Sequence, residues 1–176
     1  MALQVKPQLG FTEAIWLAGS RVFDFKGRSR RSEFWWWMLL VIIAEEIVTS
    51  LLTILYLSAA VATIIMFFGL AVTVRRLQDT GRSAMWVYVS YLLGIFNQFY
   101  TASSDFVQEV VSMAASGNIV PEEITRLAEE NTGELTVLGA SGFMFFIASF
   151  IVIIFCLIDS KPEVNKYSES PKYYEA

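Results

Sequence analysis

Two arginine-rich strings hold most of the side chains able to do chemistry in this chain: GRSRRSEFWWW at 27–37 and RRLQDTGRSAMW at 75–86. Each sets arginines beside a Gly-Arg-Ser turn, adds one acid, and ends on an aromatic that opens a long apolar run. A guanidinium fork matches the geometry of phosphate and carboxylate oxygens. Arg28, Arg30, Arg31, Arg75, Arg76 and Arg82, with Asp79, are therefore candidates for binding an anionic lipid headgroup or a ligand phosphate. The same residues admit a plainer reading. Glu33 and Asp79 can pair with Arg30, Arg31, Arg75 or Arg76 and lock the two segments together. Nucleic acid is not an expected partner, because the clusters are short and border apolar runs.

A second chemical oddity is the pair Glu45–Glu46, 11 and 12 residues past Phe34 inside an apolar stretch. A charge at the centre of a bilayer costs roughly 3 kcal/mol on insertion scales. The pair is expected near mid-membrane, as a proton- or cation-handling site, as a contact with a polar partner helix, or as neutral, hydrogen-bonded groups that help helices assemble. Thr49 and Ser50, one turn on, are candidate donors, and Asn97 and Gln98 are candidate polar partners.

The elements that must position these groups are apolar. The chain has 176 residues, of which 55% are hydrophobic and only 17% charged. From Phe34 to Val74 no lysine, arginine, aspartate or proline occurs. As one helix that stretch would be about 60 Å long, twice the roughly 30 Å of a hydrocarbon core. It therefore reads as a hairpin of two spans, about 34–55 and 58–74, turning near Tyr56–Ala59. A third span is expected at about 84–100 and a fourth at about 135–158. Pairs of small residues at four-residue spacing (Ser58/Ala62, Gly69/Thr73, Ser90/Gly94) allow close helix approach.

Charge sets the orientation. Lys6, Arg21, Lys26, Arg28, Arg30, Arg31, then Arg75, Arg76, Arg82, then Lys161, Lys166 and Lys172 make twelve of the 13 basic residues. All twelve fall in the segments 1–33, 75–83 and 159–176. The remaining one, Arg126, sits in the loop 101–134 among seven acids. The positive-inside bias puts both ends and the 75–83 loop in the cytoplasm and the acidic loop outside, which requires an even number of spans. Trp35, Trp36, Trp37, Trp86 and Tyr88 stand where headgroup-level aromatics belong.

Flanking segments carry helix signals. Phe11, Ala14, Ile15, Ala18, Val22 and Phe23 recur at helical spacing and predict a short amphipathic helix over 11–23, lying on the membrane or against the protein's own loops. In the acidic loop Ser104 can cap a helix ending at Gly117-Asn118, and Pro121 opens a second one, although the third span could also run unbroken to Ser116. No cleavable signal peptide is expected, since no apolar core of the usual length precedes Phe34.

The inventory excludes much. There is no histidine and one cysteine, Cys156, in an apolar run. Imidazole acid–base chemistry, His/Cys metal sites and Cys–His nucleophiles are absent. No cofactor and no metal are expected, and Cys156 reads as a packing residue.

The strings FKGRSRRSEFWWW, VRRLQDTGRSAMW and DSKPEVNKYSESP resemble the signatures of the domain of unknown function 805 family of bacterial inner-membrane proteins. The resemblance covers roughly residues 23–171 apart from the acidic loop, which looks like an insertion. It implies a small multi-span protein of the bacterial plasma membrane and carries no established activity. The chain departs from the family pattern at Gln78, where a histidine is usual, at Ala84-Met85 in place of Gly-Trp, and at Glu163-Val164 and Ser168-Glu169 in place of glycines.

The expected architecture is an all-α membrane four-helix bundle with a cytoplasmic N-terminal segment at 1–33, spans within 34–158, a helical outer loop and a cytoplasmic tail at 159–176. The expected role is non-enzymatic, through membrane lipids or a membrane-protein partner, which includes a second copy. The alternative is a small oligomeric transporter or channel subunit using Glu45 and Glu46. A membrane-embedded enzyme acting on lipids is the third possibility.

Overall fold

The apolar runs fold as helices, which satisfy their own backbone groups without water. The computed structural model describes residues 3–175. In chain order these form β1 (Leu3–Val5), α1 (Phe11–Ser20), α2 (Arg31–Ser50), α3 (Leu55–Asp79), α4 (Met85–Ser103), α5 (Asp105–Ser116), α6 (Pro121–Glu130), α7 (Thr132–Leu157) and β2 (Tyr173–Glu175). Two helices, α3 and α7, are long and apolar enough to cross a membrane.

The first hairpin turns earlier than the sequence suggests. α2 stops at Ser50 and α3 begins at Leu55, so the turn is 51–54 rather than 56–59. No glycine or proline marks it. The hydroxyls of Thr49 and Ser50 donate to the carbonyls of Glu45 and Ile47, and such back-bonding weakens a helix end. The other boundaries follow local chemistry. Ser104 Oγ accepts the Val107 N–H at 3.1 Å and starts α5, so α4 does not run on to Ser116. Gly117 closes α5 at φ 73°, a left-handed conformation suited to glycine. Pro121 opens α6.

The long helices pack in series. α2 lies on α3, α3 on α4, and α4 on α7, while α3 also touches α7. α2 makes no comparable contact with α4 or α7, so the expected four-helix bundle is open along the α2–α7 side. Close approach depends on small residues. A Cβ at Gly69 would sit 2.9 Å from Met38 Sδ, and one at Gly94 would sit 2.9 Å from Phe145 Cε2. Polar side chains of α4 turn inward and are paired: Ser90 with Ser149 at 2.9 Å, Asn97 with Ser141 at 3.0 Å, and Gln98 with Thr63 at 2.9 Å.

The core is concentrated at one end. Phe34, Trp37, Val41, Leu70, Val72, Val74, Leu77, Val87, Val152 and Cys156 form one cluster, joined by Ala18 of α1. α1 covers the start of α2 and buries Ala14 and Ala18, and its Phe11 meets Trp36 edge-on. Beside it, β1 and β2 pair antiparallel, with Gln4 opposite Tyr174. No residue pattern announces these strands, because three residues are too few to show alternation.

Candidate functional site

α3 ends in a turn that fixes everything around it. Arg82 N–H reaches back to Leu77 O at 2.8 Å and Gly81 N–H to Gln78 O at 3.1 Å. Gly81 takes φ 75°. This is the Schellman closure of a helix, and it orients the last turns that carry Arg75, Arg76 and Asp79.

Arg75 and Arg76 are adjacent, so their side chains leave α3 about 100° apart and reach two different neighbours. Arg75 turns to α1 and the start of α2. Its guanidinium donates to Glu33 Oε1 at 3.0 Å, to Ser29 Oγ at 3.0 Å, to Arg21 O at 2.7 Å and to Asp24 O. Arg76 turns to α7. It donates to Cys156 O at 3.1 Å, to Ile158 O, and to Asp79 Oδ2. Both arginines therefore cap the C-terminal ends of other helices, where unpaired carbonyls carry partial negative charge.

Asp79 is the hub. Its Oδ1 accepts Arg28 Nε at 2.8 Å, and its Oδ2 accepts Arg76 and the hydroxyl of Ser160. Arg28 gives its remaining donors to backbone carbonyls: Asp79 O at 3.2 Å and, in the tail, Glu163 O at 2.9 Å, Ser168 O at 3.4 Å, and Lys161 O. Ser29 Oγ in turn donates to Glu33 Oε1 at 2.9 Å. Arg75, Arg76 and Asp79 are wholly buried, with Arg28 at 3% and Glu33 at 1% exposure. Three guanidinium groups face two carboxylates, and the excess positive charge is met by carbonyl dipoles. The result is a closed nest joining α1, α2, α3, α7 and the tail.

The seven residues proposed for anion binding are thus placed differently from one another. Arg28, Arg75, Arg76 and Asp79 are inside the nest. Arg30 is also buried, but it points away, donating to Pro7 O at 2.7 Å and Lys6 O at 2.9 Å. Arg31 is half-exposed and lies 3.2 Å from Asp159 Oδ1. Arg82 is exposed and stacks over the Phe155 ring at 4.9 Å. Sequence reasoning missed Ser29, Ser160 and the tail carbonyls. A backbone acceptor leaves no residue-type signal, so only the serines of GRSRRS and DSKP could have been flagged. Gln78 has its side-chain oxygen buried without a hydrogen-bond partner among the described residues, while its backbone carbonyl accepts from Asn165.

Glu45 and Glu46 do not lie at the middle of α2. Ser50 ends that helix, so Glu45 is about 7 Å from its end at 1.5 Å per residue. Glu45 is partly buried and Glu46 exposed. Asn97 and Gln98 are engaged by Ser141 and Thr63 instead. Glu46 lines a cleft of about 870 Å³ between the 51–54 turn and α5, with Thr49, Tyr56 and Gln108. Among the described residues no cluster of acids, histidines or cysteines is arranged to hold a metal ion.

The family described as "Protein of unknown function (DUF805)" matches residues 22–169. No curated protein and no solved structure matches the chain.

Proposed function

The chain belongs to the DUF805 family, and from that premise we propose a non-enzymatic protein of the bacterial inner membrane, acting through contacts with lipids and partner proteins. In this reading α2, α3, α4 and α7 all cross the bilayer, with the arginine-rich end and both chain ends on the cytoplasmic side. The observation that carries it is the outward direction of large apolar side chains on all four helices. Ile42, Ile43 and Ile47 of α2, Ile64 of α3, Leu92 and Phe96 of α4, and Phe143 and Phe146 of α7 are exposed. A helix apolar on its outer face and packed on its inner one suits a lipid solvent, whereas contiguous patches of this kind are rare on soluble monomers.

α2 and α4 are less apolar than α3 and α7, and each has a physical remedy. The acids of α2 lie toward its two ends, Glu33 in the nest and Glu45–Glu46 near the last turn, leaving Phe34–Ala44 uncharged between them. α4 carries no charge, and its central serine, asparagine and glutamine side chains are hydrogen-bonded to neighbouring helices. The two acids best placed for proton transfer, Glu33 and Asp79, are each held by arginine and serine donors, which favours a structural over a catalytic role. The transporter alternative is weaker, since Glu45 and Glu46 lie near the helix end.

Reporter fusions test the topology. A cytoplasm-dependent reporter inserted after Arg82 is expected to be active, and one after Gly117 silent, with the reverse for a reporter that needs the exterior. Release of the chain from membranes without detergent, or cleavage near Arg82 by protease outside intact cells, would overturn the reading.

A further inference from the structure

The open side between α2 and α7 ends in a groove of about 390 Å³ at the basic end. Its floor is charged: Arg30, Arg31, Lys172 and Asp159 all line it. Asp159 is shared by Arg31 and Lys172. Arg30 is not neutralised by a carboxylate among its described contacts, because its donors go to the carbonyls of Lys6 and Pro7. Among the lining side chains three cations face one anion, with the carboxylates of Asp79 and Glu33 acting on Arg30 from the nest behind. The first turn of α2 adds the partial positive charge of a helix start. Arg31 and Asp159 are half-exposed, so the floor is reachable, unlike the sealed nest behind it.

The walls are of the opposite character. Trp35, Trp36 and Leu157 line the same groove and are each more than a third exposed, at 39%, 39% and 56%. Above them the uncovered faces of α2 and α7 continue with Leu39 and Ile154. A cationic floor opening onto tryptophans and then onto an apolar channel is complementary to an amphiphile. A free phosphate would use the floor alone.

We infer that this groove binds an anionic membrane phospholipid, its phosphate on Arg31 and Lys172, its glycerol region against Trp35 and Trp36, and an acyl chain along the open α2–α7 side. Asp159 holds the two cations in place and competes with the phosphate for them. The site rests on the membrane reading above and names the lipid contact that reading leaves general.

The test is binding of phosphatidylglycerol to the full chain in detergent micelles, followed by native mass spectrometry, with phosphatidylcholine and inorganic phosphate as comparison probes. Arg31→Gln/Lys172→Gln is expected to lower phosphatidylglycerol affinity by roughly 25-fold, at about fivefold for each basic residue at an anionic headgroup. Asp159→Asn breaks the same internal ion pairs yet is expected to raise the affinity. Lys26→Gln, an exposed cation at the same end but outside the groove, is expected to leave it unchanged. Parent-like binding by the double variant, a fall with Asp159→Asn in step with it, or equal binding of phosphatidylcholine would overturn the site. Displacement by inorganic phosphate at matched concentration would overturn it in favour of a simple anion site. A chain that still needs detergent but shows no headgroup preference loses only this site. A chain soluble without detergent loses the membrane reading as well.

Discussion

The two ends of the molecule are built on different principles. At the basic end the helices are joined by side chains that reach across from one element to another, through Arg28, Arg75, Arg76, Glu33 and Asp79. At the acidic end α5 is held by its own Ser104 and Gly117 caps and α6 opens on Pro121 without a side-chain cap, with no buried residue in α5 and only Leu127 in α6. Charge explains the contrast. The arginines are paired with acids and helix-end carbonyls, whereas the acidic loop holds seven acids and a single arginine, whose two ion pairs are exposed. Buried pairs are geometrically demanding and costly to break one-sidedly, while exposed ones contribute little. One end is therefore cooperative and the other modular.

The sharpest way to break this comparison is Asp79→Asn, which leaves Arg28 and Arg76 buried without their anion. It is expected to cost about 3–5 kcal/mol of stability, read from thermal unfolding in detergent. Glu46→Gln, exposed at the other end, should stay within about 0.5 kcal/mol. Equal costs would mean the ends do not differ. A matched pair of glycines refines the point. Gly81 and Gly117 have φ of 75° and 73°, so alanine at either position meets a similar backbone penalty of about 1–2 kcal/mol. At Gly81 the loss should lower global unfolding, because the nest hangs on that turn. At Gly117 it should appear only as faster amide exchange in α5, with global stability kept.

Ser104→Ala is a smaller change at the modular end. It removes the cap of α5 and is expected to cost about 1 kcal/mol, confined by hydrogen exchange to that helix.

The smallest expected effect is the pH response of the Asp159–Lys172 clasp. Burial opposes the charge of Asp159, but the Lys172 ammonium, the Ser160 N–H and Arg31 outweigh it and bring its pKa below the ordinary aspartate value of 3.8. The hydrogen bond to Asp159 raises Lys172 above the ordinary lysine value of 10.5. The Asp159 contribution is present above pH 3.8 and disappears as pH falls through its lowered pKa. That of Lys172 is present below pH 10.5 and disappears as pH rises through its raised pKa. Between those limits the clasp is constant, and solvent screening keeps its worth under about 1 kcal/mol. A melting temperature that changed between pH 6 and 8 through this pair would contradict the assignment.

Much of this arrangement is legible in the residues, and the exceptions share a cause. Ser104, Gly117 and Pro121 mark helix ends by local chemistry, and the structure puts ends there. The amphipathic spacing at 11–23 resolves into α1 at Phe11–Ser20. The turn at 51–54 is missed because leucine, threonine and isoleucine carry no turn signal. The nest is half-visible. The pairing of Glu33 and Asp79 with nearby arginines follows from charge and proximity in the motifs, but which arginine meets which acid does not. Arg28 reaches Asp79 across 51 residues, and most of its remaining donors go to backbone carbonyls that any residue type supplies.

The dependence of Arg28 on residues 161–168 has a consequence for biosynthesis. Those residues leave the ribosome after all four long helices. Until then Arg28 lacks its tail acceptors and Asp79 lacks Ser160, so the nascent protein waits with its basic end ajar. An interruption of translation between α7 and the tail would yield a product with intact helices and an unfinished seam, a defect that quality-control proteases could recognise at the basic end without probing the helices at all.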